Sequence, residues 1–354
     1  MRRGHLPARA GTRKSVVVPE TSAASAASAS PTTRIHLFVC YYQSSSPERN
    51  AELDEVMRHV THHQSAEYDE VHVVIEQPDV EAFRTVARRP ATGTVAENVR
   101  VHVFHTRARF CDLFALAQQA RDAHMQRASP PRRVVSIVCN SDVYVGSASL
   151  RHVRSDERLT DSAVYALTRY DVDAIGPEHE AGARFFRSAA SQDCWIFGGA
   201  LPAAPTASGV GAPQDAQIGD YLMGVWGCDN RLVYELAAYA DCEVRNPSLT
   251  LRTYHLHNAG GTPARKGYRP QRGTILFPYL MLTPTTLRED DTSRTVWTLL
   301  TFVPTERDAP AAKVVIELVQ PTGTRLRASL QQLHQPVYHK VTIVNSRRSE
   351  ATHS

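Results

Sequence analysis

The feature that most constrains this chain is a regular exchange of strand-type and helix-type apolar patterns between residues 34 and about 145. "IHLFVCYY" (35–42) is a continuous apolar run, the pattern of a strand covered on both faces. In "QSSSPERN", Ser46 is placed to cap a helix, Pro47 fits its first position, and Glu48 sits in the first turn, where the helix dipole favours an acid. Leu53, Val56, Met57 and Val60 then recur at helical spacing. "EVHVVIE" (70–76) and "NVRVHVF" (98–104) read as strands, Phe110, Leu113, Phe114 and Ala117 as a helix, and "RRVVSIVC" as a fourth strand. Such alternation predicts βαβ units and a mostly parallel sheet. Ligands in these sheets bind beyond the carboxyl ends of the strands. Asn140-Ser141-Asp142 falls at such an end, which is a reason to find a carboxylate there.

The second half is less regular. "AVYALTRY" (163–170) and "DCWIFGG" (193–199) read as strands, 202–217 as a small-residue loop, and "CDNRLVYELAAY" (228–239) as a short helix. "EVRNPSLTLRTYHLH" (243–257) reads as one extended segment. Strand-like runs continue beyond residue 288 without a motif. The partition is therefore a leader (1–33), a catalytic-type domain (34–287) and a C-terminal extension (288–354). The leader is rich in Arg, Ala, Ser and Thr, with Glu20 as its only acid. Two readings of it are open, a disordered leader or an organellar transit peptide.

With 354 residues and 42% hydrophobic content, the chain has enough apolar material for a large core. A net charge of +4 is too mild to indicate a nucleic-acid partner. Six scattered cysteines without a CxxC pair suit a reducing compartment and argue against a disulfide framework or a cysteine-based zinc site. That favours a cytoplasmic location unless the leader is a transit peptide. No run approaches the length of a membrane span.

No Gly-rich phosphate loop is present, so a bound nucleotide must be held another way, and a divalent cation bridging its diphosphate to a carboxylate is the obvious alternative. Asp142 is one candidate ligand. His255 and His257 alternate along an extended segment and so share a face, where one would complete a metal shell. Asp193 opens an apolar strand in which Trp195 offers a flat wall for a sugar ring. Asp229 starts a helix, where it serves either as a cap or as a general base. Each residue taken alone also has a plain structural reading, as turn carboxylate, core-edge pair, core aromatic or cap.

Together, "CNSDVYV", "SQDCWIFGG", "GCDNRLVYEL", "NPSLTLRTYHLH" and "FPYLMLTPTTL" resemble, in this order, the GT-A fold of nucleotide-sugar glycosyltransferases, an α/β fold with a Rossmann-like, mostly parallel central sheet flanked by helices. More narrowly they look like glycosyltransferase-like proteins of large algal viruses and some microbes, over roughly residues 34–287. By that resemblance Asp142 matches the metal-binding acid of the DxD element, with Asn140 in place of the first acid. Asp229 matches the base, with Asp193 competing for that role, and His255 or His257 matches the metal histidine. "TRARF" resembles an Arg-containing element whose Arg109 contacts the diphosphate. Tyr41 and Tyr42 lie where the base and ribose sit, beside Asn140, Ser141 and Trp195. The resemblance implies transfer of a sugar, with inversion, from a nucleotide diphosphate donor (UDP-type favoured) to a hydroxyl of a glycan or glycoconjugate, assisted by Mn2+ or Mg2+. A nucleotidyltransferase and a catalytically degenerate glycan- or partner-binding protein are the alternatives.

Overall fold

The computed structural model describes residues 33–127, 133–186, 191–203, 217–225, 227–240, 242–257 and 279–288, together with strands at 296–301, 314–319, 325–330 and 339–344. The expected leader, most of the loop at 202–217 and most of the C-terminal extension lie outside these residues. In chain order the first half comprises β1 (Thr33–Tyr41), α1 (Pro47–Arg58), β2 (Glu70–Glu76), α2 (Val80–Ala87), β3 (Val99–Phe104), α3 (Phe110–Arg127), β4 (Arg133–Cys139), β5 (Val143–Val145) and α4 (Ser147–Ser155). The second half adds β6 (Ala163–Leu167), β7 (Tyr170–Val172), α5 (Pro177–Ala181), β8 (Arg184–Phe185), β9 (Cys194–Phe197), α6 (Cys228–Ala238), β10 (Glu243–Arg245), β11 (Thr253–Leu256) and β12 (Tyr279–Leu282). The remaining strands are β13 (Val296–Thr301), β14 (Val314–Val319), β15 (Arg325–Leu330) and β16 (His339–Val344).

Seven strands form the central sheet in the order β10-β6-β9-β4-β1-β2-β3. Neighbours are parallel except at β9, which runs antiparallel to both β4 and β6. The expected α/β, mostly parallel sheet flanked by helices is the observed architecture. A second sheet, β5-β11-β7-β8, stands at the carboxyl end of β4. β12, β13 and β16 form a third sheet, and β14 pairs with β15.

Strand parity explains why β1 reads as an unbroken apolar run. Leu37, Val39 and Tyr41 enter one core layer with Val56 and Met57 of α1 and Phe83 of α2. Phe38, on the opposite face, joins Phe110 and Phe114 of α3, Trp195 of β9, and Leu232 and Leu236 of α6. Both faces are therefore apolar, and each fully buried large side chain contributes about 1.5–3 kcal/mol. α1 begins as its sequence dictates: the Ser46 hydroxyl accepts from the Arg49 backbone N–H at 3.3 Å, with Pro47 in the first turn.

Two expected segments are broken. "AVYALTRY" divides into β6 and β7, which belong to different sheets. "EVRNPSLTLRTYHLH" divides into β10 and β11 around a turn, where Asn246 donates to the Thr168 hydroxyl at 2.9 Å and to the Leu282 carbonyl at 3.0 Å. The Gly pair after β9 has a packing cause, since a Cβ at Gly198 would collide with the Leu159 and Thr160 carbonyl oxygens.

Candidate functional site

The carboxyl end of β4 and the start of the antiparallel β9 meet at one rim of the sheet. There the Asn140 backbone N–H donates to the Asp193 carbonyl at 2.9 Å, and its side-chain amide donates to the Asp193 carboxylate at 2.9 Å. The buried Ser141 lies in the turn after β4, which delivers Asp142 to the start of β5, an edge strand of the second sheet. β11 lies there between β5 and β7, in a register that sets His255 opposite Val143 on one side and Asp171 on the other.

His255 is 2% exposed and gripped from both ends. Its Nε2 lies 2.9 Å from Asp142, and its Nδ1 lies 2.9 Å from Asp171. Burial alone would lower its pKa, but the Asp142 and Asp171 carboxylates outweigh this and raise it. Burial would raise Asp142, yet the Arg49 guanidinium, which pairs with it, and His255 hold its carboxyl well below the usual range. Arg169 bridges the other acids: its Nε is 3.2 Å from Asp171, and its Nη1 is 3.2 Å from both Asp193 oxygens. Asp193 also accepts from the Ser191 hydroxyl, so its acceptor positions are well used.

Asp229 enters from α6, whose cap Gly227 has φ +81°, the left-handed conformation that suits glycine. Asn230 ties this helix start to the strand side by donating to Gln192 at 2.7 Å. Burial pushes the Asp229 carboxyl well above the usual range, and the charges of Asp193 and Asp142 push it further, against the opposing influences of Cys228 and Arg169. Four aspartates thus share one electrostatic environment with Arg49, Arg169 and His255.

Among the residues singled out from sequence, Asn140, Ser141, Asp142, Asp193, Asp229, His255 and His257 come together at this rim or adjoin it. The ring centroids of His255 and His257 are 5.5 Å apart. The metal-capable donor set differs from the expected one. Atoms of Asp171, His255 and His257 lie within 4.8 Å of one another, while Asp142 is engaged by His255 and Arg49. One carboxylate with two imidazoles suits a divalent ion of mixed nitrogen and oxygen preference, Mn2+ better than Mg2+, once His255 gives up the proton that its carboxylate neighbours favour.

Three expectations are displaced. Trp195 is 0% exposed and packs edge-on against Phe110 at 4.9 Å, so it offers no open wall to a sugar. Tyr41 points into the α1/α2 layer, where its hydroxyl donates to Asp54 at 2.7 Å; Tyr42, on the opposite parity, stays half-buried. Arg109 is exposed and paired with Asp220. Arg107 takes the position near the end of β1, with its guanidinium carbon 4.7 Å from the Tyr42 ring centre. Arg49, Arg107, Arg169 and Asp171 were not singled out from sequence. The one sequence signal for Arg169 and Asp171 is charge placed directly after an apolar strand, in "TRYDVD".

No protein-family model matches the chain, and no curated protein matches it. Among solved structures, 4-diphosphocytidyl-2C-methyl-D-erythritol synthase from Anaerococcus prevotii aligns with 47% of this chain and 72% of its own, at 11% identity and a TM-score of 0.26. S. aureus TarS 1–349 in complex with UDP-GlcNAc aligns with 47% of this chain and 45% of its own, at 14% identity and a TM-score of 0.26. The S. aureus TarS 1–349 structure aligns with 40% and 37%, at 17% identity and a TM-score of 0.21. The chain spans less than half the length of the TarS chains. Scores this low carry no argument about activity, and none of the three is a viral protein.

Proposed function

We propose that this chain transfers a glycosyl group from a nucleotide diphosphate sugar, UDP-type favoured, to a hydroxyl of a glycan or glycoconjugate. One observation carries the reading: Asp142, Asp171, Asp193 and Asp229 converge with Arg49, Arg169 and His255 at the carboxyl rim of a mostly parallel sheet. Asp229 is the base: burial and the charges of Asp193 and Asp142 raise its carboxyl well above the usual range, so it takes a proton more readily than an ordinary carboxylate. Asp193, clamped by Asn140, Arg169 and Ser191, positions rather than reacts. Arg49, Arg107 and Arg169 offset the charge that grows on the leaving diphosphate. A divalent cation held by Asp171, His255 and His257 adds Lewis-acid neutralisation when bound. A single base opposite the leaving group makes the transfer inverting.

The test is nucleoside diphosphate release from a panel of UDP-, GDP- and dTDP-sugars with Mn2+, alongside thermal shift. Asp229→Asn is expected to lower turnover by about 10²–10⁴-fold while the donor still raises the melting temperature. Full turnover in that variant removes Asp229 as base. Neither turnover nor a thermal shift with any donor overturns the proposal. A second reading, a glycan-binding protein on the same scaffold, is favoured by the occupation of Asp142 by Arg49 and His255. Glycan binding without donor turnover selects it.

A further inference from the structure

A second group of metal-capable side chains lies on the central sheet, toward the amino-terminal ends of β1 and β2 and away from the rim just described. Parallel register sets His36 of β1 opposite Glu70 of β2, and Phe38 opposite His72. His36, Glu70 and His72 therefore share one face, the face that also carries Phe38 and Val74 beneath α3. Donor atoms of the three lie within 4.8 Å of one another. His36 Nδ1 is 3.9 Å from Glu70 Oε2, and His72 Nε2 is 3.1 Å from the same oxygen. Tetrahedral ligation with bonds of about 2.1 Å sets donors about 3.4 Å apart, and the two separations bracket that value.

The surroundings are those of ligands held in place. The other Glu70 oxygen lies 3.5 Å from an Arg100 nitrogen, which leaves Oε2 to face the two rings. His72 uses its second nitrogen on His102, 3.0 Å away, and Phe38 stacks on its ring at 4.4 Å. Such contacts fix a ligand imidazole's orientation and tautomer. His36 is 2% exposed, yet its Nδ1 has no hydrogen-bond partner. A buried ring nitrogen left in this state costs about 1–3 kcal/mol unless something engages it. Burial lowers His36 to about 4, so at neutral pH the ring is uncharged and carries a lone pair. Burial would raise Glu70, but its hydrogen bond to His72 and the nearby Arg100 charge outweigh this and lower the carboxyl to about 2.

We infer that His36 Nδ1, Glu70 Oε2 and His72 Nε2 form a binding site for a transition-metal dication of the zinc type, distinct from the group at Asp171, His255 and His257. Two imidazoles and one carboxylate make a donor set suited to Zn2+ or Co2+ and ill suited to Mg2+ or Ca2+. Water takes the fourth position. His72 Nε2 is freed for the metal by moving the proton of the pair: His72 then donates from Nδ1 to His102 Nε2, and His102 carries its own proton on Nδ1. No proton is released in that exchange, because each ring keeps one. The ion ties β1 to β2 on the α3 face and leaves the candidate catalytic rim untouched.

The probe is Zn2+, titrated calorimetrically into the full chain previously stripped with a chelator, with Co2+ ligand-field absorption as a second readout. The background variant His255→Ala/His257→Ala is expected to retain one tight site with the spectrum of tetrahedral Co2+. In that background, Glu70→Gln is expected to weaken Zn2+ by about 100-fold or more, the upper end of what outer-sphere losses alone produce. His72→Gln is expected to abolish the Co2+ band. Glu70 is half-buried and at the edge of the cluster, so its isostere keeps the fold even if a histidine variant does not. Unchanged Zn2+ affinity in Glu70→Gln, or no tight site in the His255/His257 background, overturns the inference. Donor turnover is measured separately, and its failure would leave this result standing.

Discussion

Arg169 is the cation on which the candidate site's electrostatics turn, and replacing it with methionine tests that directly. The guanidinium makes three charge-assisted contacts, each 3.2 Å, one to Asp171 and two to Asp193. The Asp193 side chain is only 5% exposed and that of Arg169 19%, so solvent screens the pair weakly. Removing one member of a buried ion pair costs about 3–5 kcal/mol, because the remaining charge is stranded. Here the loss is smaller: Asp193 keeps Asn140 and Ser191, and Asp171 keeps His255. We therefore expect Arg169→Met to destabilise the chain by about 2–3 kcal/mol in urea unfolding at neutral pH. Asp193→Asn in the same background removes the stranded charge, so the double variant is expected to lose about 1–2 kcal/mol less than the sum of the singles. Strict additivity, or a cost below about 1 kcal/mol for Arg169→Met, would refute the reasoning, since exposed pairs contribute about 0–1 kcal/mol.

Three further outcomes follow from the geometry. Trp195→Ala should cost about 3–5 kcal/mol in chemical denaturation, as for any fully buried aromatic, and Trp195→Phe should leave donor affinity unchanged. Arg107→Ala should weaken binding of a nucleoside diphosphate in calorimetry, while Arg109→Ala, whose partner is Asp220, should not. Asp69 accepts from the Ile35 backbone N–H at 2.8 Å and from Arg154 at 3.0 Å, and also pairs with Arg34. Burial would raise its carboxyl, but these partners hold it below the usual value. A depressed folded pKa gives stability that is present above the unfolded value and lost on acidification. Asp69→Asn should thus cost about 1–2 kcal/mol at pH 7, and the gap to wild type should close as pH falls below about 4, followed by urea melts at several pH values.

The first four strands and the helices α1 and α3 are legible because each carries a complete local pattern of run length, cap and period. What was illegible depends on parity or on distance. Adjacent residues of a strand face opposite ways, so Tyr41 and Tyr42 cannot both reach one ligand, and the packing of α1 and α2 decides which is buried. Arg169 and Asp171 are joined to Asp193 and His255 across 24 and 84 residues, and no local pattern encodes such pairings. The break at Asn246-Pro247 followed a different cause. Proline cannot donate to a ladder, and Asn246 turns its side chain to distant backbone and hydroxyl partners. Trp195 illustrates the limit of residue type: an aromatic beside an acid suits a binding wall as well as a core, and only its neighbours decide.

β11 carries aromatic cargo on one side and ionic cargo on the other. Tyr254 sits between Tyr144 and Tyr170, with ring centres 5.4 and 6.1 Å away, while His255 next to it faces Asp142 and Asp171. Sliding the strand by a single residue would drive an imidazole into grease and a phenol among carboxylates. Each half of the ladder therefore proofreads the other's alignment, and substitutions that soften the tyrosine stack will blur the spacing of acids several ångströms away.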